Sequence, residues 1–368
     1  MTKKCKTLSD LDKCMAPLSS DFDLLKWYSP NNNCLRLSGF PWYKKDGVYR
    51  RLPVQNDLII PEAVDILAEH TAGGQIAFQT DSTQIAIKVK LAGLADMNHM
   101  PSTGQCGFDL YIGEPYQQKF YTSSKYDHRK DEYEVLLFKH SDKKMRSITL
   151  NFPLYQGVKD VQIGLAKEAN VLLPLPWFSK SRIVIYGTSI TQGGCASRPG
   201  MAYTNIMSRV LNTEIVNLGF SGNGKGEPSV VKTLANIENT NLFILDYEAN
   251  SSDTIKDSLP QVIKIIRDTH KNTPIIILSR IAFASDIIHK ESLVKRNDNC
   301  KMQSALVHKL TSQGDNHLYF IDGSKILRSD YDECTVDGIH PNDLGFMRMA
   351  KYLASFIEDN HLLQNQNC

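Results

Sequence analysis

The sequence holds no stretch approaching the ~20 continuous apolar residues of a membrane-spanning helix, so no membrane partner is expected. It also lacks an excess of either charge: Lys+Arg number 42 and Asp+Glu 40, a formal net charge of +2. With no dense basic patch carrying interleaved aromatics, nucleic acid is not an expected partner. Close cysteine pairs are missing as well. Cys5, Cys14, Cys34, Cys106, Cys195, Cys300, Cys334 and Cys368 are too scattered for a structural zinc site, and read as free thiols of a reducing cytoplasm. Gly222-Asn-Gly224-Lys-Gly226 lacks the spacing and the following hydroxyl residue of a phosphate-cradling loop. The segment Met1–Lys13 is basic and then polar, without an apolar segment of signal-peptide length, and is expected to remain uncleaved.

What is present is an ordinary globular composition, 42% hydrophobic and 22% charged over 368 residues, enough for two domains with cores of their own. A homo-oligomer is compatible with it. From about Asp21 to Ala169 the pattern is β throughout. Period-two alternation at 75–78 and 83–91 brackets a break at Asp81-Ser82, and similar runs follow at 107–112, 133–137, 146–150 and 161–165. Regular short strands of this kind predict a β-sandwich of jelly-roll type. Pro174 and Pro176 stiffen a linker ending at Trp177, which places the domains at 1–174 and 178–368.

The second half alternates strand and helix. Apolar strand-like runs at 182–186, 214–217, 242–245, 274–278 and 317–321 are separated by helical patterns near 201–211, 229–237, 255–269 and 302–310. Five such units predict an α/β domain with a parallel sheet, helices on both faces and the flavodoxin-like order. A last helix near 344–357 carries Met347 and Met349 among apolar residues at core spacing.

Chemistry gathers at the ends of these strands. Ile183, Val184 and Ile185 run into Gly187, Thr188 and Ser189, which puts a hydroxyl at the carboxyl edge of the sheet, where open α/β folds bind ligands. Thr188, Ser189 and Thr191 could equally be turn and cap residues. Near the other end, Asp337-Gly-Ile-His340 sets a carboxylate three residues before a histidine. A serine needs such a base, and the base needs a carboxylate on its far ring nitrogen, although the same pair could ligate a metal or cap a helix. Two further stretches, Val216 to Gly224 and Leu242 to Asn250, also follow strand-like runs.

This ordered set resembles the SGNH or GDSL hydrolase superfamily over about half of the chain, roughly Arg182 to Phe356. The resemblance implies Ser189 as nucleophile, His340 as base and Asp337 as its partner. It further implies an oxyanion hole from the backbone N–H groups of Ser189 and Gly222 and the Asn250 side chain. Two departures are visible: Thr188 stands where the family has Asp, and Glu248-Ala-Asn250-Ser where it has Gly-x-Asn-Asp. Neither removes a group that the chemistry requires. No metal and no cofactor are expected, although Asp246 and Glu248 could form a metal pair.

A β-sandwich ahead of such a domain also resembles a bacterial carbohydrate-esterase architecture. It implies an esterase removing acetyl or another short acyl group from a carbohydrate, a small-molecule or oligosaccharide ester. A lipid or small-metabolite acyl-ester or thioester hydrolase is the alternative within the class. An inactive carbohydrate-binding protein is the alternative outside it, and the presence of all five site residues speaks against that one. An acyltransferase, in which an alcohol intercepts the acyl-enzyme, is a further variant. Arg198, Arg280 and Glu248 are candidates for holding a polar substrate, or else the arginines tie loops to acids such as Glu248. Cys195 is a rival nucleophile without strand-end presentation. The polar loop 94–106, with His99, reads as a solvated connection, or else as part of the substrate cleft.

Overall fold

The computed structural model describes residues 11–12 and 21–363. Most of the stretch read as uncleaved, together with Cys5, Cys14 and Cys368, lies outside them. In chain order the strands are β1 (Leu25–Tyr28), β2 (Arg36–Ser38), β3 (Gln75–Thr80), β4 (Gln84–Leu91), β5 (Asp109–Ile112), β6 (Lys119–Ser123), β7 (Glu132–Lys139), β8 (Arg146–Asn151), β9 (Val158–Ala166) and β10 (Val171–Leu172). They form two antiparallel sheets, β1-β9-β4-β7 and β10-β3-β8-β5-β6, with β2 sharing the outer edge of β3. Successive strands from β3 to β9 mostly alternate between the sheets, the jelly-roll pattern. Alternation along the chain explains the packing. Ile85, Ile87 and Val89 of β4 point inward and Lys88 and Lys90 outward. The inward set meets Ile76, Phe78, Leu110, Ile148 and Leu150 of the facing sheet.

The expectation of β structure throughout this half is corrected by a helix, Glu62–Ala68. Val64 and Ala68, one helical turn apart, are fully buried, and they pack with Leu52 against the parallel sheet of the other half. Two apolar residues four positions apart are too brief a pattern to stand out between alternating runs. Shorter helices lie at Tyr43–Asp46 and Ser102–Gln105.

The second half builds the five-stranded parallel sheet from β11 (Arg182–Gly187), β12 (Glu214–Gly219), β13 (Thr240–Asp246), β14 (Ile275–Leu278) and β15 (Leu318–Ile321), in the order β12-β11-β13-β14-β15. That is the flavodoxin-like order. Its strands are apolar on both faces because both faces are covered. Ile183 and Ile185 of β11 pack under the helices Tyr203–Leu211 and Asp343–Asp359, while Val184 and Tyr186 pack under Pro228–Ala235 and Ile255–Thr269. No helix among the described residues is long and apolar enough to cross a membrane, and the described cysteines are free thiols.

The two halves meet at a buried cation. Arg51 has no exposed surface, and its guanidinium donates to the carbonyl oxygens of Leu67, His70, Asn217 and Gly219 while lying 4.9 Å from the centre of the Phe220 ring. Burial pulls its pKa down to about 9, so the group remains a cation at neutral pH, held by carbonyl dipoles. At the linker, Arg36 donates to Leu175 O and stacks 4.1 Å from the Trp177 ring centre. The expected cut at 174–178 therefore parts the sheets but not the packing. Replacing Arg51 strands carbonyls worth about 1–3 kcal/mol each. Arg51→Met is expected to lower the unfolding free energy by at least about 3 kcal/mol in urea titration. A loss below about 1 kcal/mol would show that the seam does not depend on it.

Candidate active site

β11, an interior strand of the parallel sheet between β12 and β13, delivers the serine. Its last residue, Gly187, approaches the next elements so closely that a Cβ there would lie 2.0 Å from Thr191 Oγ1 and 2.6 Å from Asp246 O. Thr188 follows in extended conformation and accepts the Ile190 N–H at 3.2 Å, capping the short helix Ser189–Gln192. The residue that departs from the family pattern thus serves as a helix cap. Behind Ser189, Tyr155 of the sandwich half donates its hydroxyl to Ser189 O at 3.2 Å.

The histidine comes from a loop closed by the bridge between Thr335 and Pro341, just ahead of the helix Asp343–Asp359. Asp337 Oδ1 accepts the N–H groups of Ile339 at 3.0 Å and His340 at 2.7 Å, which folds the loop back on itself. Its Oδ2 lies 2.7 Å from His340 Nδ1, and His340 Nε2 lies 2.8 Å from Ser189 Oγ. Burial alone would raise the Asp337 carboxyl, but the His340 ring and the two backbone donors outweigh it and hold the group below the usual carboxylate range. An ionised carboxylate at Nδ1 keeps the ring proton there and leaves Nε2 to accept one.

Across from the serine, Gly222 takes φ +68° with open space where a Cβ would sit, so backbone conformation and not crowding selects glycine. Asn250, in the helix Glu248–Ser251 after β13, donates from Nδ2 to Phe220 O at 3.3 Å, which ties it to the same turn. Among the described residues neither the Ser189 nor the Gly222 N–H meets a hydrogen-bond acceptor. The arrangement can move a proton from a hydroxyl to an imidazole and offers donors to a developing anion nearby.

The other candidates are placed differently. Arg198 Nη1 donates to the buried Asp109 at 3.0 Å and to Tyr111 Oη at 2.5 Å, with the guanidinium 3.7 Å from the Phe120 ring centre. Arg280, 5% exposed, donates from Nη2 to Asp286 at 3.1 and 3.2 Å. Glu248, also buried, accepts the Arg280 N–H and Gln303 Nε2, each at 2.7 Å. All three thus have protein partners, although Arg280 Nη1 and Glu248 Oε1 are buried without a hydrogen bond of their own. The arginines do tie loops, but to Asp109 and Asp286. Cys195 is a neutral thiol, pushed up to about 12 by burial and then by Asp337, and so a poor nucleophile.

The loop 94–106, exposed at Leu94, Asp96 and Asn98, is tied down at several points. Gln105 cross-links it, accepting the N–H groups of Asp96 and Met97 and donating to Met97 O and Met100 O. Thr103 donates to Ser197 O at 2.7 Å, and His99 Nε2 comes within 3.8 Å of Asp337 Oδ2. No local pattern announces this, since the contacts join residues distant in sequence. Also unforeseen are Tyr155 behind the nucleophile and Asp343, which accepts the Ser197 N–H at 2.9 Å. Asp246 accepts the hydroxyls of Thr191 at 2.9 Å and Tyr203 at 2.8 Å beneath the nucleophile turn.

Residues 180–358 match the model of the GDSL-like lipase/acylhydrolase family, and residues 25–171 match that of the N-terminus of SGNH-hydrolase-type esterases. Among solved structures, a protein described as a GDSL-like lipase from Bacteroides ovatus is 30% identical with a TM-score of 0.84, covering 93% of this chain and 99% of that one. A salicylyl-acyltransferase from a tetracycline biosynthetic pathway is 18% identical with a TM-score of 0.73, covering 95% and 100%. A family two carbohydrate esterase from Cellvibrio japonicus is 13% identical with a TM-score of 0.57, covering 92% and 99%. The last two likenesses show a shared fold. No curated protein matches the chain.

Asp246 generates a pH prediction. Burial lifts its carboxyl to about 7, against the pull of the Tyr203 and Thr191 hydroxyls, whereas an unfolded aspartate titrates near ~3.9. Between those values the folded chain binds the extra proton, so this group's contribution to stability falls as pH rises toward 7 and levels off above it. Urea midpoints from pH 5 to 8 should show the wild type losing stability relative to Asp246→Asn. Parallel curves would mean that the buried carboxyl is not raised.

Proposed function

The chain belongs to the GDSL-like lipase/acylhydrolase family, and on that premise we propose that it is a serine esterase working through an acyl-enzyme. We propose further that it removes acetyl or another short acyl group from a carbohydrate. The observation that carries the mechanism is the continuous contact from Ser189 Oγ through His340 to Asp337, at 2.8 and 2.7 Å. In this reading His340 Nε2 takes the hydroxyl proton as Ser189 Oγ attacks the ester carbonyl, and Asp337 stabilises the imidazolium. The oxyanion accepts from the Ser189 and Gly222 N–H groups and from Asn250 Nδ2. Each donor is typically worth ~2.7–4 kcal/mol of barrier. His340 then protonates the departing alcohol, and in the second half it activates the water that releases the acid.

What supports a carbohydrate is architecture. Family two carbohydrate esterases share a fold of this extent with the chain, from Cellvibrio japonicus and from Clostridium thermocellum. The loop 94–106 of the sandwich, lying against the catalytic loops, supports a cleft built from both halves. The free thiols support action in a reducing compartment, the cytoplasm.

The reading is tested with aryl esters from acetate to decanoate. Activity should peak at acetate and fall at least about a thousandfold in Ser189→Ala. Asn250→Ala should lower kcat about 10²–10³-fold with KM little changed. Undiminished turnover in Ser189→Ala would overturn the mechanism. A preference for decanoate would replace the carbohydrate with a lipid ester, and an ester product formed with added acceptor alcohols would make the protein a transferase.

A further inference from the structure

Four side chains with lone pairs to offer converge beside the nucleophile. One ring nitrogen each of His99 and His340, the Cys195 sulfur and a carboxylate oxygen of Asp337 all lie within 4.8 Å of one another. We propose that this quartet is an inhibitory Zn²⁺ site, which switches off the catalytic centre while the metal is held.

The donor set argues for the metal. Two imidazoles, a thiolate and a carboxylate are the mixed nitrogen, sulfur and oxygen ligands that tetrahedral Zn²⁺ takes, whereas a hard cation such as Mg²⁺ would want oxygen alone. Bonds of about 2.0–2.3 Å put tetrahedral ligands roughly 3.3–3.8 Å apart, so the cluster must tighten by about an ångström. His99 can supply the movement, being partly exposed and at the tip of its loop, 34% accessible in its side chain. Charge closes as well. A dication with one thiolate and one carboxylate is neutral, which suits a site where Cys195 is buried.

Two of the four ligands have no part in the esterase steps. His99 reaches in from the sandwich half, its Nδ1 3.1 Å from Asn98 Oδ1 and its Nε2 turned toward Asp337 at 3.8 Å. Cys195 follows the nucleophile turn, and among the described residues nothing hydrogen-bonds its sulfur. Binding forms the metal–ligand contacts, releases the thiol proton to solvent and changes no oxidation state. Inhibition follows from the loss of His340. A metal on Nε2 ends acceptance of the Ser189 proton, and a metal on Nδ1 ends the bond to Asp337. Inhibition rests on the esterase reading, and binding does not.

The test separates the two. The full chain, stripped with EDTA, is titrated with Co²⁺ and followed by absorption. One equivalent should give tetrahedral d–d bands and a sulfur-to-cobalt charge-transfer band, and Zn²⁺ should abolish both. Cys195→Ala should lose the charge-transfer band, and should hydrolyse aryl acetate in zinc-free buffer as the wild type does. Half-inhibition of Cys195→Ala, and of His99→Gln as a second variant, should require at least tenfold more Zn²⁺. Absence of the charge-transfer band, or equal zinc inhibition of the wild type and both variants, would overturn the proposal. A chain that hydrolyses no aryl ester would still be decided by the Co²⁺ titration.

Discussion

A guanidinium with no water around it constrains this molecule more than any other single group. Arg51 is enclosed by carbonyls from two parts of the chain, Leu67 and His70 on one side and Asn217 and Gly219 on the other. Both sets must stay in place while the cation is there, because an uncompensated buried charge costs far more than any single contact returns. Asn217 and Gly219 end the strand that leads directly into Phe220 and Gly222. The turn that faces the serine is thereby set from the sandwich half. Gln192, one turn after the serine, repeats the arrangement, donating to Leu154 O and accepting the Ser221 N–H.

Around the nucleophile two carboxyl groups are held in opposite states by their surroundings. Asp337 is supplied with backbone N–H donors and an imidazole, and so stays ionised where charge has to be balanced. Asp246, beneath the turn, is offered only neutral hydroxyls in an apolar setting, and burial favours its proton. Acids placed in such contrasting environments do different work. One tunes the base, and the other holds Thr191 and Tyr203 under the turn that carries the serine.

Much of the fold was legible because it is written in local pattern. The β-branched runs that end at Gly187, Gly219 and Asp246 are strands covered on both faces, and the alternation from Gln84 to Leu91 is a strand covered on one. Ser189, Asp337 and His340 were legible as a site because each lies where a strand or loop meets a helix start, with types that suit one chemistry. The rest depended on pairings that no window of sequence contains. Arg198 finds Asp109, 89 residues away, and Thr103 finds Ser197, 94 residues away. Nor does anything in Pro61 to Ala68 announce that its two buried residues face a sheet more than a hundred residues downstream.

That small helix bears on how such a molecule can be recombined. The face of the parallel sheet near Val184 and Val216 is roofed partly by Leu52, Val64 and Ala68, residues that precede most of the sandwich in the chain. Cut at the proline linker, the catalytic half would carry an open apolar patch where its roof had been. Exchange of sandwiches between relatives, in the laboratory or in evolution, must therefore carry this roof along or rebuild it. The gene looks like two cassettes, but inheritance works on a single interlocked body.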